Sequence, residues 1–110
     1  MTQEEVVLVS SLVEALARRD FDRVLELCER SDLTIDMIDQ ELNSYPTAIS
    51  PFNGQIQAST EEFVWDNGNG KSLDVHLLTE EGLRSDLTLE LEVRYVDSSP
   101  RLRIRGLHAM

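Results

Sequence analysis

The stretch that decides the fold is residues 86–106. It reads "DLTLELEVRYV" (86–96), then Asp97, Ser98, Ser99 and Pro100, then "RLRIRG" (101–106). Its first part alternates apolar residues with acidic or polar ones, and its last part alternates arginine with leucine and isoleucine. A period of two is typical of a strand with one buried face. Two such strands predict an antiparallel hairpin with a four-residue loop at 97–100.

The apolar sets of the two strands coincide in this register. The inward face then consists of Leu91, Val93, Tyr95, Leu102 and Ile104, with Val93 opposite Ile104. The outward face consists of Glu90, Glu92, Arg94, Arg101, Arg103 and Arg105. Opposite charges across strands stabilise a hairpin. We therefore interpret the arginines as its solvent side and not as an anion-binding stripe.

Two more strands precede this hairpin, at about 62–66 and 71–79. The turn sequence "NGNG" joins them, and "EEGLRS" leads on to residue 86. In this register Val64 pairs with Leu73 and joins the core. Phe63 and Trp65 lie on the outer face of the sheet, near His76.

Three helices are predicted before the strands. Thr2 and Glu5 have the spacing of a capping box, and Asp20 and Thr34 can cap a second and a third helix. Pro46 stops the third. Residues 46–60 follow as a loop with room for one short strand at "QIQA".

The sequence thus predicts a single α+β domain over residues 1–110. Two to three N-terminal helices pack on one face of a curved antiparallel meander sheet of about four strands. A chain of 110 residues is long enough for one core and too short for two.

The formal charge of -11 excludes the usual modes of nucleic-acid and anionic-membrane binding, because it repels phosphate. Cys28 is the single cysteine, so neither an internal disulfide nor a cysteine-based zinc site can form. Acidic residues stand where a signal peptide carries basic ones. We expect a cytoplasmic protein.

No catalytic motif is present, and we predict no catalytic residue, no metal and no cofactor. Asp74 and His76 share a strand face, a pairing that is more often a surface histidine beside an acid than half a metal site. Cys28 falls on the apolar side of the second helix, where a thiol packs as a small hydrophobic group.

Two surfaces are candidate binding sites. Asp22, Glu26 and Asp36 belong to an acidic stretch of the helices that suits a basic partner, or that serves only as a solubilising face. Phe63, Trp65 and His76 mark the outer sheet face as a site for a protein partner or for a homodimer. The alternative for this face is that the 46–60 loop covers the two aromatic rings.

A pocket between helices and sheet is a third possibility. Its candidate residues, together with those of the turn that precedes the last hairpin, are Tyr45, Arg84, Asp86 and His108. Asp86 has the short carboxylate that commonly ties down backbone donors in a turn. A structural role is therefore the alternative for these residues.

The segment "SLDVHLLTEEGLRSDLTLELEV" (72–93), the ending "RIRGLHAM" and the helix pair "LVEALARRDFDRVLEL" resemble a family of small bacterial domains of unknown function. Its signature is D-V-x-L, T-E-E-G, R-S-D-L-T-L-x-L and a C-terminal Leu-His. Arg84, Ser85, Asp86 and His108 fall on recurring positions, and the resemblance implies no catalytic residues. The order of elements also looks like the nuclear-transport-factor-2-like (cystatin-like cone) superfold.

We expect a non-catalytic bacterial protein-binding domain, with an immunity-type neutraliser of a basic partner as one concrete case. The alternative is a small-molecule-binding or isomerase/cyclase-like domain with a pocket between helices and sheet.

Overall fold

The computed structural model describes residues 1–45, 48–51 and 56–109 of the chain. Its elements are α1 (Gln3–Ala17), α2 (Phe21–Leu27), β1 (Cys28–Ser31), α3 (Ile35–Ser44), β2 (Thr60–Val64), β3 (Gly70–Leu78), β4 (Arg84–Val96) and β5 (Ser99–Ala109). The fold is α+β with three helices, as the sequence predicts. Among the described residues, no helix is long and apolar enough to cross a membrane.

The helices begin at the predicted caps. The Thr2 hydroxyl accepts a hydrogen bond from the Glu5 backbone N–H, and the Glu5 carboxylate accepts one from the Thr2 N–H. The side chains of Asp20 and Thr34 cap α2 and α3 in the same way. Such a cap stabilises a helix by about 1 kcal/mol, because it satisfies a backbone donor that has no partner inside the helix.

The segment after α3 is described in part. Pro46, the predicted helix stop, lies outside the described residues, as does the start of "QIQA". Residues 56–59 form a turn. Ile49 makes an isolated antiparallel bridge to Thr79, beyond the end of β3.

The sheet has five strands in the order β1-β5-β4-β3-β2. Strands β2 to β5 form the predicted antiparallel meander, and β1 adds to it parallel to β5. The prediction of about four strands in a purely antiparallel sheet is therefore corrected. Cys28, predicted on the second helix, is extended and opens β1. Only this residue of the four-residue strand is buried, so no alternation marked it.

The hairpin of β4 and β5 has a tighter turn than predicted, and the register of both hairpins differs from the prediction by two residues. Asp97 and Ser98 alone form the turn between β4 and β5, with φ of 51° and 66°. Val93 consequently pairs with Leu102 and not with Ile104. Because the shift is an even number of residues, every side chain keeps its predicted face.

The register of β2 and β3 also differs from the prediction by two residues, and the prediction for one residue of β2 is wrong. Val64 pairs with Lys71 and not with Leu73, and its side chain is 71% exposed instead of joining the core. It is the last residue of an edge strand, where packing partners are few. Phe63 lies on the outer face opposite Ser72, as predicted.

The core lies between the helices and the inward face of β3 to β5. Its fully buried side chains include Leu12, Leu16, Ile38, Leu73, Leu77, Leu89, Leu91, Leu102 and Ile104. Burying each such side chain contributes roughly 1.5–3 kcal/mol. All three helices thus pack on one face, and the other face of the sheet carries mostly polar side chains together with Phe63.

Candidate functional site

Three of the outward arginines of β4 and β5, Arg94, Arg103 and Arg105, are paired with carboxylates of the same molecule. Arg105 donates to Glu92 at 2.6 Å, and both side chains lie on the outward face, as predicted. Arg103 and Arg105 also lie 2.8 Å and 2.9 Å from the two oxygens of Asp32. The hydrogen bond from Arg103 lowers the pKa of the Asp32 carboxyl. These arginines are engaged, and they do not form a free anion site.

Two of the carboxylates that pair with these arginines, Glu29 and Asp32, lie in β1 or directly after it. Arg94 donates to Glu29 at 2.8 Å. The sequence assigned Glu29 and Asp32 to an acidic surface on the helices, since β1 was not predicted. In the structure these two carboxylates attach β1 to the hairpin, so only part of the predicted acidic surface remains unpaired.

Both histidines lie on the outer face, joined through Thr88. His76 is 8% exposed, and its Nε2 is 3.0 Å from a carboxylate oxygen of Glu61 on β2. Its Nδ1 is 3.3 Å from the Thr88 hydroxyl oxygen. Thr88 is the cross-strand neighbour of His108, which hydrogen-bonds with Glu90. The carboxylate that contacts His76 is therefore Glu61, and not Asp74 of the same strand.

The order of carboxylate, imidazole and hydroxyl in Glu61, His76 and Thr88 is that of a hydrolase triad. Thr88 is, however, 2% exposed in the middle of a central strand. A nucleophile must reach the carbon atom it attacks. We interpret Glu61, His76 and Thr88 as a structural hydrogen-bond network on the outer face, because each buried polar group in it has a hydrogen-bond partner.

A second buried polar network joins α1 to the sheet. Glu5 is fully buried, and its carboxylate accepts hydrogen bonds from the Tyr95 hydroxyl at 2.6 Å and from Lys71 at 2.9 Å. Lys71 also bonds to Glu62 at 3.1 Å. Sequence reasoning missed Glu5, although it shares one helical face with Val9 and the other core residues of α1.

The pKa values of this network favour the forms already present at neutral pH. Burial raises the pKa of Glu5, but the hydrogen bonds from Tyr95 and Lys71 outweigh it and leave the pKa lowered. Burial and the neighbouring Glu5 raise the pKa of Tyr95. Burial lowers the pKa of Lys71, but the two carboxylates outweigh it and leave that pKa raised. None of these groups is thereby poised to exchange a proton near pH 7, as acid–base catalysis requires.

On the helix side, an apolar groove runs along β1 between α2 and α3. Its volume is about 290 Å³. It is lined by Val24, Leu25, Cys28, Glu29, Arg30, Ser31, Leu33, Thr34, Ile35 and Ile38. Leu25 is 59% exposed at its edge. Burial raises the pKa of the Cys28 thiol to about 12, so this cysteine stays protonated and serves as packing.

Two of the predicted acidic residues are neighbours of groove-lining residues along their helices. Asp22 lies one helical turn before Leu25, and Asp36 follows Ile35 in the first turn of α3. Both are exposed, and within the described residues neither forms an ion pair. Glu26 pairs with Arg23 at 3.1 Å on the surface. Asp22 and Asp36 thus adjoin residues of a groove that the sequence did not reveal, whereas Glu26 lines a different cavity with Leu27 and Arg101.

The remaining candidates lie at different places. The Tyr45 hydroxyl accepts a hydrogen bond from the Asp86 backbone N–H at 3.3 Å, so these two residues are together. Arg84 is exposed at the start of β4, and His108 is on the outer face. The structure thus brings Tyr45 and Asp86 into contact and places His108 beside Glu90, and the pocket or turn role of these four residues stays a prediction.

The two outer-face aromatic residues differ in their surroundings. Phe63 is 51% exposed. Trp65 donates from its indole nitrogen to the Ser72 hydroxyl at 3.0 Å, and its ring lies against Gly70. Phe63 is thus the aromatic side chain that this end of the sheet offers to a partner.

Among the described residues, no group of three or more histidine, cysteine or carboxylate side chains is arranged to hold a metal ion. No curated protein and no solved structure matches the chain. A family model does match it over residues 13–110, which is most of the chain. The chain belongs to this family, which is described as a domain of unknown function (DUF7668).

Proposed function

We propose that the chain is a non-catalytic protein-binding domain of the bacterial cytoplasm, and that its helix-side groove takes a basic partner protein. An immunity-type neutraliser of that partner is the concrete form of this function. The observation that carries the proposal is the apolar groove along β1. Next to its lining residues along α2 and α3 stand the exposed carboxylates of Asp22 and Asp36, which have no ion-pair partner in the described part of the chain.

The apolar lining supplies binding energy. Leu25, exposed at the edge, and the partly buried Leu33 and Ile35 leave apolar surface in contact with water. A partner side chain that fills such a groove removes this surface from water, and buried apolar contacts near the centre of an interface carry most of its affinity.

The charge selects the partner. The chain carries a formal charge of -11, and Asp22 and Asp36 lie in the first turns of α2 and α3, the two helices whose residues line the groove. Like charge repels acidic partners, and opposite charge accelerates encounter with basic ones. Lysine or arginine beside an apolar anchor is therefore the chemistry that this groove fits.

Selection of a random peptide library on the immobilised protein tests the proposal. We expect the selected peptides to carry an apolar residue flanked by lysine or arginine, and their affinity to fall as salt rises. Leu25→Ser should weaken them roughly tenfold or more, because it truncates an apolar contact. The double variant Asp22→Asn/Asp36→Asn should weaken them roughly three- to tenfold, as expected for exposed charge pairs.

Matched controls are Leu83→Ser and Asp66→Asn, which change an exposed leucine and an exposed acid in turns of the sheet. They should leave peptide affinity unchanged. Peptides without basic residues, or binding that is insensitive to the groove variants, would contradict the proposal.

Self-association through the outer sheet face is a second proposal, and Phe63 supports it. This half-exposed ring lies on β2, an edge strand that has a neighbouring strand on one side only among the described residues. In sedimentation experiments over a concentration series, we expect a dimer that Phe63→Ser disrupts and Leu83→Ser does not. A monomer at all concentrations would rule it out.

A further inference from the structure

The groove and the edge of the sheet coincide. β1 lies at the end of the sheet order and, within the described residues, has a strand partner on one side only, β5. All four residues of β1 also line the groove. A ligand in the groove would therefore lie beside the edge of β1 that has no neighbouring strand within the described residues, and such an edge is a ready template for another strand.

We propose that the partner enters the groove as an extended segment that adds to β1 as a sixth strand. This inference rests on the proposed function and specifies its binding mode. In strand addition, backbone hydrogen bonds provide affinity and alternate side chains provide specificity.

The dimensions favour a strand over a helix. An added strand lies about 4.8 Å from its neighbour and extends about 3.3 Å per residue, so the four residues of β1 match a segment of similar length. A helix is about 10–12 Å wide and has its backbone groups bonded internally, so it would leave the edge of β1 unpaired. Of the two, only a strand could contact the apolar lining of the groove and also hydrogen-bond to the edge of β1.

The alternation of a strand determines the segment's composition. Every second side chain would point toward α2 and α3, into the apolar lining of Val24, Leu33 and Ile35. Basic side chains on either side of these anchors would be attracted to Asp22 and Asp36, which lie in the first turns of α2 and α3. On the outer face, Glu29 and Asp32 are already engaged by arginines of β4 and β5. The predicted partner is thus an extended segment with apolar residues at alternate positions and lysine or arginine at its flanks.

The test uses the tightest peptide from the library selection. Variants of it carry a methyl group on one backbone nitrogen at a time, which removes one donor without changing a side chain. We expect methylation at alternate positions to lower affinity roughly tenfold, the scale of a lost buried hydrogen bond, and methylation at the positions between to have little effect. Bound peptide should also slow amide exchange of β1 at residues 29–31 by roughly tenfold or more, since a paired edge opens less often.

Two other results are informative. A peptide that stays sensitive to Leu25→Ser but shows helical periodicity in the methylation scan, with no slowing at residues 29–31, would overturn strand addition and leave the groove function standing. Peptides that are insensitive to Leu25→Ser, or the failure to select any, would overturn both.

Discussion

Among single residues, Glu5 combines full burial with a negative charge. Isolated burial of a carboxylate is strongly unfavourable, and pairing must offset it. Lys71 and Tyr95 provide this pairing from β3 and β4, while Glu5 also closes the capping box of α1. The Glu5 side chain therefore links the start of α1 to β3 and β4.

Glu5→Ala should destabilise the protein by about 3 kcal/mol, because it leaves Lys71 in a buried site with Glu62 as its one remaining acid. Urea unfolding followed by circular dichroism measures this change. Glu4→Ala, in the same turn but exposed, is the matched control and should have a small effect. Equal effects of the two variants would mean that the network does not contribute.

Gly70 is a residue where a close approach requires glycine. A Cβ at this position would lie 2.3 Å from the Val93 carbonyl oxygen and 2.8 Å from the Trp65 ring. Gly70→Ala should therefore destabilise by roughly 1–3 kcal/mol through overpacking and should change the Trp65 fluorescence. Gly106→Ala, whose Cβ would lie 3.4 Å from a Glu90 side-chain oxygen, is the control. A neutral Gly70→Ala would show that β4 yields easily.

At the scale of elements, the turn between β4 and β5 stores a small strain. Asp97 and Ser98 both have positive φ, which a two-residue hairpin turn requires and which glycine adopts at low energy. A residue other than glycine in this region is less stable by roughly 1–2 kcal/mol. The gain on replacement is reduced by the larger unfolded-state entropy of glycine, about 0.4–1 kcal/mol.

Ser98→Gly should accordingly stabilise the protein by about 0.5–1 kcal/mol. Thermal unfolding at fixed pH measures it. Ser99→Gly, at the first position of β5, should instead destabilise slightly, since glycine weakens a strand. If both variants destabilise, Ser98 does not hold a positive φ in solution.

The strands also show why the sequence predicts which face of the sheet each side chain occupies but does not predict the fifth strand, β1. Alternation in β3, β4 and β5 predicts which side chains are buried, and an even shift in register leaves that prediction intact. β1 carries a single buried residue, Cys28, so nothing in its four letters distinguishes it from a helix end. The groove depends on β1, which was not predicted. For this reason Asp22 and Asp36 could be selected from their charge, but the apolar groove near them could not be predicted.

On the scale of the whole molecule, folding depends on carboxylates held in their charged form. The pKa values of Glu5, Asp32 and Glu62 are all lowered from ordinary values of 4.5, 3.8 and 4.5. For Asp32 the hydrogen bond from Arg103 is the main cause, and for Glu62 it is the hydrogen bond from the N-terminal amine. These contacts join α1, the segment after β1 and β2 to the rest of the sheet.

Stability should therefore fall in acid. A carboxyl group whose pKa is lower in the folded state contributes stability that is fully present above its unfolded value and is lost as pH falls through its folded value. We expect unfolding free energies in urea that are nearly constant from pH 7 to about 5 and that decrease below about 4.5, the ordinary pKa of glutamate. Glu5→Gln should flatten this decrease, and Glu4→Gln should not. The opposite result, stability that rises on acidification, would mean that relief of the repulsion within a chain of charge -11 outweighs these three contacts.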